Sequence, residues 1–382
     1  MYFHGHYHTK EKYNIYLMSL KMSRTAIAIL STENLIHNLQ VIKQKVNPAK
    51  VVAMIKANAY GHGLRSVALR LDKHADILGV ASIDEALALR KIGVSTPILL
   101  AEGVFEPNEL LLASTNNFHV VFHNEMQLEW LEKSLLPIPL HAWMKINTGM
   151  GRLGFSIEQA KLYYPRLLNS QQLKKPIKIM SHLACADEKD HPLNGEQIQV
   201  FKNFIKNING EFSLSNSAGI FNFPDCYFDY VRPGLALYGV NPIEGGRAEA
   251  LDLKPVMTLQ TSLISVQTLP KGSSIGYKGR YCCPEDMQVG IIAFGYGDGY
   301  PLTAKDGTPI LVNNIECALV GRVSMDMIAI DLRTCPNAKI GDPVILWGNG
   351  LPIERVAEYT SNIPWDMLTG IQNRVKFLWT QA

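Results

Sequence analysis

"VVAMIKANAYGHG" (residues 51–63) begins as an apolar run and ends in a glycine-rich turn, and Lys56 lies at the junction. A short apolar run bounded by turn residues is typical of a buried strand, so we predict a strand over 51–56. A lysine at the end of such a strand is costly to bury unless it is paired, neutral or used in chemistry. Most strand-end lysines extend their amine to water, and this alternative stays open from the stretch alone.

Seven similar apolar runs follow along the chain, and helix-like segments separate them. The eight predicted strands are 51–56, 77–82, 97–102, 118–123, 140–146, 177–184, 211–216 and 229–235. The segment after the second strand illustrates the pattern, because Ser82 can cap a helix that ends at Gly93. Eight strands that alternate with helices over about 200 residues predict a (β/α)8 barrel of the TIM type.

The sequence pattern changes after Leu253, where alternating runs rich in Thr, Ser and Val are interrupted by Gly and Pro. We predict a mostly β C-terminal domain over 254–382, preceded by the (β/α)8 barrel domain over 23–253. The strand-like run 25–30 precedes the barrel strands and can pair with the β domain. Residues 1–22 lack the apolar centre of a signal peptide, and we interpret them as a flexible N-terminal extension.

The composition argues against several classes of protein. The 382 residues carry a net charge of +3 without a basic block, which argues against a nucleic-acid partner. No apolar run approaches the ~18 residues of a membrane-spanning helix, so no membrane partner is predicted. The six cysteines are scattered without CxxC spacing, so we predict no disulfide framework and no metal site. This cysteine usage favours a reducing, cytoplasmic location.

Polar residues fall at or just after the ends of several predicted strands, where (β/α)8 barrels hold their chemistry. They are Lys56, Lys145, Arg152, His182, Asn216, Ser217, Arg232 and Gly234. Each alone has an ordinary alternative, such as an ion pair for an arginine or a hydrogen-bonded core position for a histidine. Their convergence on one rim favours a binding site, and the lack of an acidic cluster disfavours a two-metal or two-carboxylate hydrolase.

A lysine beside a phosphate site indicates a particular cofactor. An amine crowded by other cations favours its neutral form, which can form a Schiff base, and Arg152 and Arg232 can supply such crowding around Lys56. Backbone amides near Ser217 and Gly234 suit a phosphate. Pyridoxal phosphate meets both conditions, because its aldehyde needs an amine and its phosphate needs an anchor.

The β domain contains a second glycine-rich run, "AFGYGDGYPL" (293–302). Its glycine spacing does not match a dinucleotide site. Two interpretations stay open: an ordinary hairpin turn, or a turn that holds Tyr296 for proton transfer. In "VGRVSMDM" (320–327), Met325 and Asp326 can likewise be ordinary core and turn residues.

Seven segments, in order along the chain, resemble the signature segments of the alanine racemase family. They are "KANAYGHG" (56–63), "TGMGRLGF" (148–155), "SHLACADE" (181–188), "SNSAG" (215–219), "VRPGLALYG" (231–239), "GYGDGYP" (295–301) and "GRVSMDM" (321–327). The resemblance extends from Ser23 to the C-terminus. It implies a fold-type III pyridoxal phosphate enzyme with an N-terminal barrel, a C-terminal β domain and a homodimer whose subunits share the active sites.

The resemblance also implies roles for individual residues. Lys56 would hold the cofactor and take the Cα proton of the D-amino acid, and Tyr296 from the partner subunit would act on the L-amino acid. Arg152 and Met325 would contact the substrate, and Lys145 matches a lysine that is carbamylated in some relatives. The other matches to cofactor contacts are Tyr60, His182, Asn216, Ser217, Arg232, Gly234, Leu235 and Trp365.

The activity implied by the resemblance is interconversion of L-alanine and D-alanine, which supplies D-alanine for peptidoglycan. A racemase of the same fold that acts on serine or another amino acid is an alternative. A fold-type III decarboxylase is disfavoured by a dedicated carboxylate-binding arginine and a second base. A non-catalytic cofactor carrier is disfavoured by the β domain. Two positions depart from the family pattern, since Ser324 replaces a frequent cysteine and Trp365 a frequent tyrosine.

Overall fold

The computed structural model describes residues 24–380, and its N-terminal part is a closed barrel of eight parallel strands. In chain order the barrel strands are Lys50–Met54, Ile77–Val80, Ile98–Leu100, Phe118–Phe122, Leu140–Lys145, Leu173–Met180, Glu211–Asn216 and Tyr230–Arg232. Each of the eight predicted strands has its counterpart, so the predicted barrel is confirmed. The predicted extension 1–22 lies outside the described residues.

Some strand boundaries differ from the prediction. The first barrel strand ends at Met54, so Lys56 lies two residues beyond it. The sixth strand is Leu173–Met180 instead of 177–184, so His182 lies in the loop that follows. In both places apolar residues continue beyond the last paired residue, with Ile55 after Met54 and with Leu183 and Ala184 after Met180, so the sequence pattern does not mark the end of pairing.

Helices surround the barrel. They are Thr32–Val46, Leu64–Leu71, Ile83–Lys91, Asn108–Thr115, Glu125–Lys133, Ile157–Asn169, Pro192–Ile205 and the short Ser217–Asn222. The predicted cap is confirmed, since Ser82 Oγ accepts a hydrogen bond from the Glu85 N–H before Ile83–Lys91. Each helix buries one face in the core outside the strands, and each buried large apolar side chain contributes about 1.5–3 kcal/mol.

The C-terminal part contains an eight-stranded sheet. Across the sheet, its strands are Met287–Ile292, Ile328–Asp331, Ile315–Val320, Pro309–Val312, Pro343–Trp347, Met257–Leu269, Ile27–Ser31 and Lys376–Thr380. Met257–Leu269 also pairs with Met287–Ile292, which closes part of the sheet on itself. Two short helices, Ile353–Ala357 and Pro364–Thr369, and a small hairpin, Ser274–Ile275 with Tyr281–Cys282, complete this part.

The strand Ile27–Ser31 belongs to this C-terminal sheet and not to the barrel. It is antiparallel to Met257–Leu269 and parallel to Lys376–Thr380. The described chain therefore starts in the sheet, crosses into the barrel and returns. This path places Arg24, which precedes the strand, beside the C-terminal domain.

Apolar side chains fill the barrel interior, among them Val52, Leu99, Val121, Trp143 and Tyr230. The interior is therefore a packed core, and the open end lies at the carboxyl ends of the strands. Within residues 24–380, no helix is long and apolar enough to cross a membrane. The same residues contain no cluster of His, Cys, Asp or Glu that could hold a metal ion.

Candidate active site

Lys56 begins a left-handed turn that follows the first barrel strand. Ala57, Asn58, Ala59 and Tyr60 have φ values of 54°, 53°, 54° and 51°. A left-handed conformation costs roughly 1–2 kcal/mol per non-glycine residue, so the turn needs support from its surroundings. The left-handed turn directs the side chains of both Lys56 and Tyr60 towards one cavity.

Hydrogen bonds and aromatic stacking supply that support. The Gly63 N–H donates to the Asn58 carbonyl at 2.9 Å. The fully buried ring of His62 lies with Nδ1 2.9 Å from the Tyr60 carbonyl. It stacks on Tyr238, which also stacks on Tyr60. His62, which lies between two glycines, therefore stabilises the left-handed turn through its hydrogen bond to Tyr60 and its stacking on Tyr238.

A cavity of about 550 Å³ opens at the carboxyl ends of the barrel strands. Predicted site residues that line it are Lys56, Tyr60, Lys145, Arg152, His182, Asn216, Ser217, Arg232, Gly234, Leu235 and Trp365. Trp365 comes from the C-terminal part, so the cavity lies where the barrel and the β domain meet. Lysine and arginine outnumber Asp and Glu by four to two among the described lining residues, which suits an anionic ligand.

Arg232 is nearly fully buried, and hydrogen bonds fix its guanidinium. It donates to Ser213 Oγ and to the carbonyl oxygens of Ser181 and Leu214. It also lies 3.3 Å from Nδ1 of His182. Burial lowers the pKa of Arg232 to about 10, so the group stays charged at neutral pH. Burial and the positive charge of Arg232 hold the pKa of His182 well below its usual range, so this ring is neutral and its Nδ1 can accept.

The loops after the seventh and eighth barrel strands form a cradle of polar groups. Ser217 Oγ accepts from the Gly234 N–H at 2.8 Å, which ties the two loops together. A Cβ at position 234 would lie 2.2 Å from Tyr60 Oη, so only glycine lets the loop and this hydroxyl meet. Asn216 caps the short helix after the seventh strand. Burial raises the pKa of Tyr60 to about 12, so its hydroxyl keeps its proton and can donate to an anion.

Lys145 is nearly buried at the end of the fifth barrel strand, in a group of charged side chains. Burial, followed by the charges of Arg232, Arg152 and Lys56, lowers the pKa of Lys145 to about 8, and Glu102 opposes this shift. The amine of Lys145 is therefore partly neutral near neutral pH, and a neutral amine is a nucleophile. A carboxylate oxygen of Glu102 also lies 3.7 Å from Lys56 Nζ.

Glu102 and Asp187 line the cavity but were not among the predicted site residues. A signal for Glu102 was present, because it ends the predicted strand 97–102 in the same way that Lys56 ends 51–56. Glu102 is a single carboxylate, and only clustered carboxylates indicate a hydrolase or metal site from sequence alone. Asp187 lies inside the segment "SHLACADE", and nothing in its spacing points to the cavity.

The described residues that line the cavity do not include Tyr296 or Met325. Both lie on the C-terminal domain, where 39% of Tyr296 and 53% of Met325 is exposed. The Tyr296 N–H donates to the Ser324 carbonyl at 3.0 Å, and the Gly297 N–H donates to the Met325 carbonyl at 2.9 Å. A Cβ at Gly295 would lie 2.3 Å from the Ser324 carbonyl, so this close approach requires glycine. Tyr296 and Met325 are therefore neighbours on one surface.

The hairpin interpretation of "GYGDGYP" is wrong. Strand Met287–Ile292, which precedes the turn, pairs with Ile328–Asp331 and Met257–Leu269 and not with Pro309–Val312, which follows it. Tyr296–Asp298 instead forms a short 3₁₀ turn packed on the 324–325 loop. The glycines therefore serve a close contact between two loops.

Comparison with known proteins assigns nearly all of the described chain to one family. Models of the alanine racemase N-terminal and C-terminal domains match residues 30–242 and 256–379. A biosynthetic alanine racemase of Escherichia coli K12 is 44% identical over 354 residues, which are 92% of this chain and 98% of that protein. An alanine racemase of Shigella boydii serotype 18 has the same identity and coverage.

Solved structures agree with this result. Biosynthetic alanine racemase from Pseudomonas aeruginosa matches with a TM-score of 0.91 and 37% identity over 94% of this chain and 100% of that chain. Alanine racemase from Bartonella henselae, described with covalently bound pyridoxal phosphate, matches with a TM-score of 0.83 and 29% identity over 93% and 99%. Both parts of the fold, and nearly the full length of each relative, are therefore shared. The chain belongs to the alanine racemase family.

Proposed function

We propose that this chain interconverts L-alanine and D-alanine with pyridoxal phosphate as its cofactor. The observation that carries the proposal is the cavity, which gathers the Lys56 amine, the cradle around Ser217 and the buried Arg232. The relatives named alanine racemase support the substrate, and the pyridoxal phosphate covalently bound to the Bartonella henselae protein supports the cofactor. They favour a racemase over a decarboxylase or a cofactor carrier.

The residues present fit the cofactor. Its phosphate would lie in the cradle, where Tyr60 and Ser217 bring hydroxyl groups and Gly234 leaves its backbone free of a side chain. Asn216, Leu235 and Trp365 would complete this end of the site, and the indole N–H of Trp365 can donate one hydrogen bond. The excess of positive charge in the cavity stabilises a phosphate dianion.

Pyridoxal phosphate supplies an electron sink, which acidifies the Cα–H of an amino acid joined to its aldehyde carbon. Arg232 would face the pyridine nitrogen as a fixed cation. A guanidinium with a pKa of about 10 gives up its proton only with difficulty, so it would donate a hydrogen bond without protonating that nitrogen. His182, held neutral beside Arg232, would pack on the ring. Together, Arg232 and His182 would limit how much negative charge the cofactor ring accepts, which would disfavour side reactions.

Racemisation requires one group to remove the Cα proton and a second group to return a proton to the opposite face. Lys56 Nζ would act on the face that carries the proton in D-alanine, and Tyr296 Oη on the face that carries it in L-alanine. Because Tyr296 and Met325 are exposed and do not line the cavity of their own chain, we infer that a second copy supplies them. A homodimer with shared sites follows from this inference.

Arg152 would bind the substrate carboxylate, because its fork of N–H donors matches two oxygens. Lys145 would be carbamylated: its neutral amine adds to carbon dioxide, a C–N bond forms, and one proton is released. The resulting carboxylate would accept from Arg152 and hold it in place. The lowered pKa of Lys145 supports this step, because only the neutral amine reacts.

The decisive experiment measures racemisation by the purified chain, supplied with pyridoxal phosphate, against alanine, serine and longer amino acids in both configurations. We expect alanine to react fastest, and an enzyme that prefers serine would overturn the substrate assignment. Lys56→Ala should lose the visible absorbance of covalently bound cofactor together with activity. Lys133→Ala is the matched control, because that lysine is exposed and pairs with Glu129 on a barrel helix.

The cellular role follows from the product. We infer that the enzyme provides D-alanine for peptidoglycan, in line with the relatives named biosynthetic. A cytoplasmic location stays a prediction from the cysteine usage. A mutant cell that lacks this gene should need D-alanine for growth, unless it carries a second racemase.

A further inference from the structure

Asp298 is a fully buried carboxylate two residues after Tyr296. It accepts hydrogen bonds from Arg24 at 2.5 Å, from Nε of Arg374 at 2.6 Å and from the Gly295 N–H at 2.9 Å. A buried carboxylate is stable only when charged donors surround it in this way. The two arginines come from opposite ends of the described chain, one just before the first strand and one before the last.

The same arginines reach the loop that carries Met325. Arg374 donates to a carboxylate oxygen of Asp326 at 2.6 Å and to the Met325 carbonyl at 3.4 Å. Arg24 donates to the Asp326 carbonyl at 3.1 Å. Each arginine therefore joins the Tyr296 turn to the 325–326 loop. The positive charges of Arg24 and Arg374 therefore balance the negative charges of Asp298 and Asp326.

We propose that Asp298, Arg24 and Arg374 form a clamp that positions Tyr296 relative to the Met325 loop. The clamp acts through the backbone. The carboxylate of Asp298 accepts a hydrogen bond from the Gly295 N–H, while Gly297 lies against Arg374 and Met325. The backbone of Tyr296, between these two glycines, therefore has little conformational freedom. None of the three need touch the substrate. They are positioning residues for the proton transfer on the L-alanine face, a role that rests on the proposed function.

Positioning predicts an effect on one face of the substrate only. With Tyr296 displaced, Lys56 can still remove and return the Cα proton of D-alanine. In deuterium oxide, a clamp variant should therefore exchange the Cα proton of D-alanine many times before it inverts one molecule. A displacement of about 1 Å can slow proton transfer roughly 100-fold, so we expect the ratio of exchange to inversion to rise about 10- to 100-fold.

The test compares Arg374→Gln, Arg24→Gln and Arg333→Gln holoenzymes. Arg333 is a matched control, because its side chain is 37% exposed against 38% for Arg374 and it also binds two carboxylates, those of Asp331 and Glu285. The ratio should rise in the first two variants and stay at the wild-type value in the third. Arg374→Lys, which keeps the charge, should recover part of the loss. An unchanged ratio in Arg374→Gln, or a parallel fall of exchange and inversion, overturns the clamp.

A second readout separates this proposal from the proposed function. Amide hydrogen exchange of peptides that cover 293–302 should become faster in Arg374→Gln than in wild type, and should not change in Arg333→Gln. This measurement needs no alanine turnover. Wild-type protein that does not racemise alanine would overturn the proposed function, while equal amide protection of 293–302 in Arg374→Gln and wild type would overturn the clamp.

Discussion

Tyr296 and Lys56 lie in different domains of the chain, and the proposed reaction needs them on opposite sides of one carbon atom. Lys56 faces the cavity of its own barrel, whereas Tyr296 is exposed on the C-terminal domain. In the proposed reaction, the Lys56 amine and the Tyr296 hydroxyl would act on opposite faces of the substrate. This difference allows their contributions to be measured separately.

Tyr296→Phe removes the hydroxyl and keeps the ring. We expect racemisation to fall about 100-fold or more, because general acid–base groups contribute at least that much. The rates with L-alanine and D-alanine must fall together at low substrate concentration, since the two enantiomers have equal free energy. Exchange in deuterium oxide distinguishes the faces, and L-alanine should lose Cα exchange while D-alanine keeps it. Equal loss on both enantiomers would refute the assigned faces.

Lys145 should respond to pH through its neutral amine. With a pKa of about 8 instead of 10.5, the neutral fraction grows between pH 6 and pH 8, where an ordinary lysine stays protonated. Carbamate formation should therefore increase over this range when carbon dioxide is supplied. Carbon-13 NMR with labelled bicarbonate detects the carbamate directly, and Lys145→Gln should lack the signal. If wild-type protein gives no such signal up to pH 9, the modification does not occur.

The left-handed turn Lys56–Tyr60 is the element that brings the amine of Lys56 and the hydroxyl of Tyr60 to one cavity. Four successive non-glycine residues adopt a conformation that the chain normally avoids, so packing must over-determine it. His62 supplies a large part of this packing through Tyr60 and Tyr238. Its other ring nitrogen is buried and has no hydrogen-bond partner among the described residues.

Because His62 is buried, we expect the stability of the fold to decrease in acid. Burial lowers the pKa of His62 to about 4, so the unfolded chain binds a proton at this site more readily than the folded one. The free energy of unfolding should fall as pH drops from 6.5 towards 4, by about 3 kcal/mol from this residue. The variant His62→Phe keeps an aromatic ring for stacking but cannot titrate. Its free energy of unfolding, measured with urea, should therefore depend less steeply on pH than that of the wild type.

The control for this measurement is His74→Phe, which removes an exposed histidine on the same barrel. Its unfolding should depend on pH as that of the wild type does. His119 and His141 also have a lowered pKa, so part of the acid sensitivity should persist in His62→Phe. An identical pH dependence in His62→Phe and wild type would exclude His62 as a source.

A shared active site makes a prediction about the assembled molecule. In a homodimer, a Lys56→Ala chain paired with a Tyr296→Phe chain forms one site with both defects and one site with neither. Mixing the two inactive variants after unfolding and refolding should restore roughly a quarter of the wild-type activity, since half of the dimers are mixed and half of their sites are intact.

The control mixes each variant with itself, which should restore nothing. Heterodimer formation is checked by placing different affinity tags on the two variants. If tagged heterodimers form without activity, each chain must build its site alone. That outcome would require Tyr296 to reach the cavity of its own chain, against its exposed position on the C-terminal domain.

The sequence was sufficient for the barrel, the mostly β C-terminal part and most of the side chains that share the cavity, although Glu102 and Asp187 were missed. Alternation of strands and helices indicates a (β/α)8 barrel, and the carboxyl ends of parallel strands must meet at one rim. Lys56, Lys145 and Arg232 could therefore be grouped without coordinates. The family segments added Tyr296 and Met325, which no local pattern connects to the rim.

Other features required the folded chain. The left-handed turn depends on His62 stacking with Tyr238, and the pKa of Lys145 depends on burial among charges from several strands. The clamp joins Asp298 to Arg24 and Arg374, which are 274 and 76 residues away. Periodicity and turn chemistry act over a few residues and can be read from the sequence. Ion pairs and desolvation act across space, so they exist only once closure of the fold has brought distant residues together.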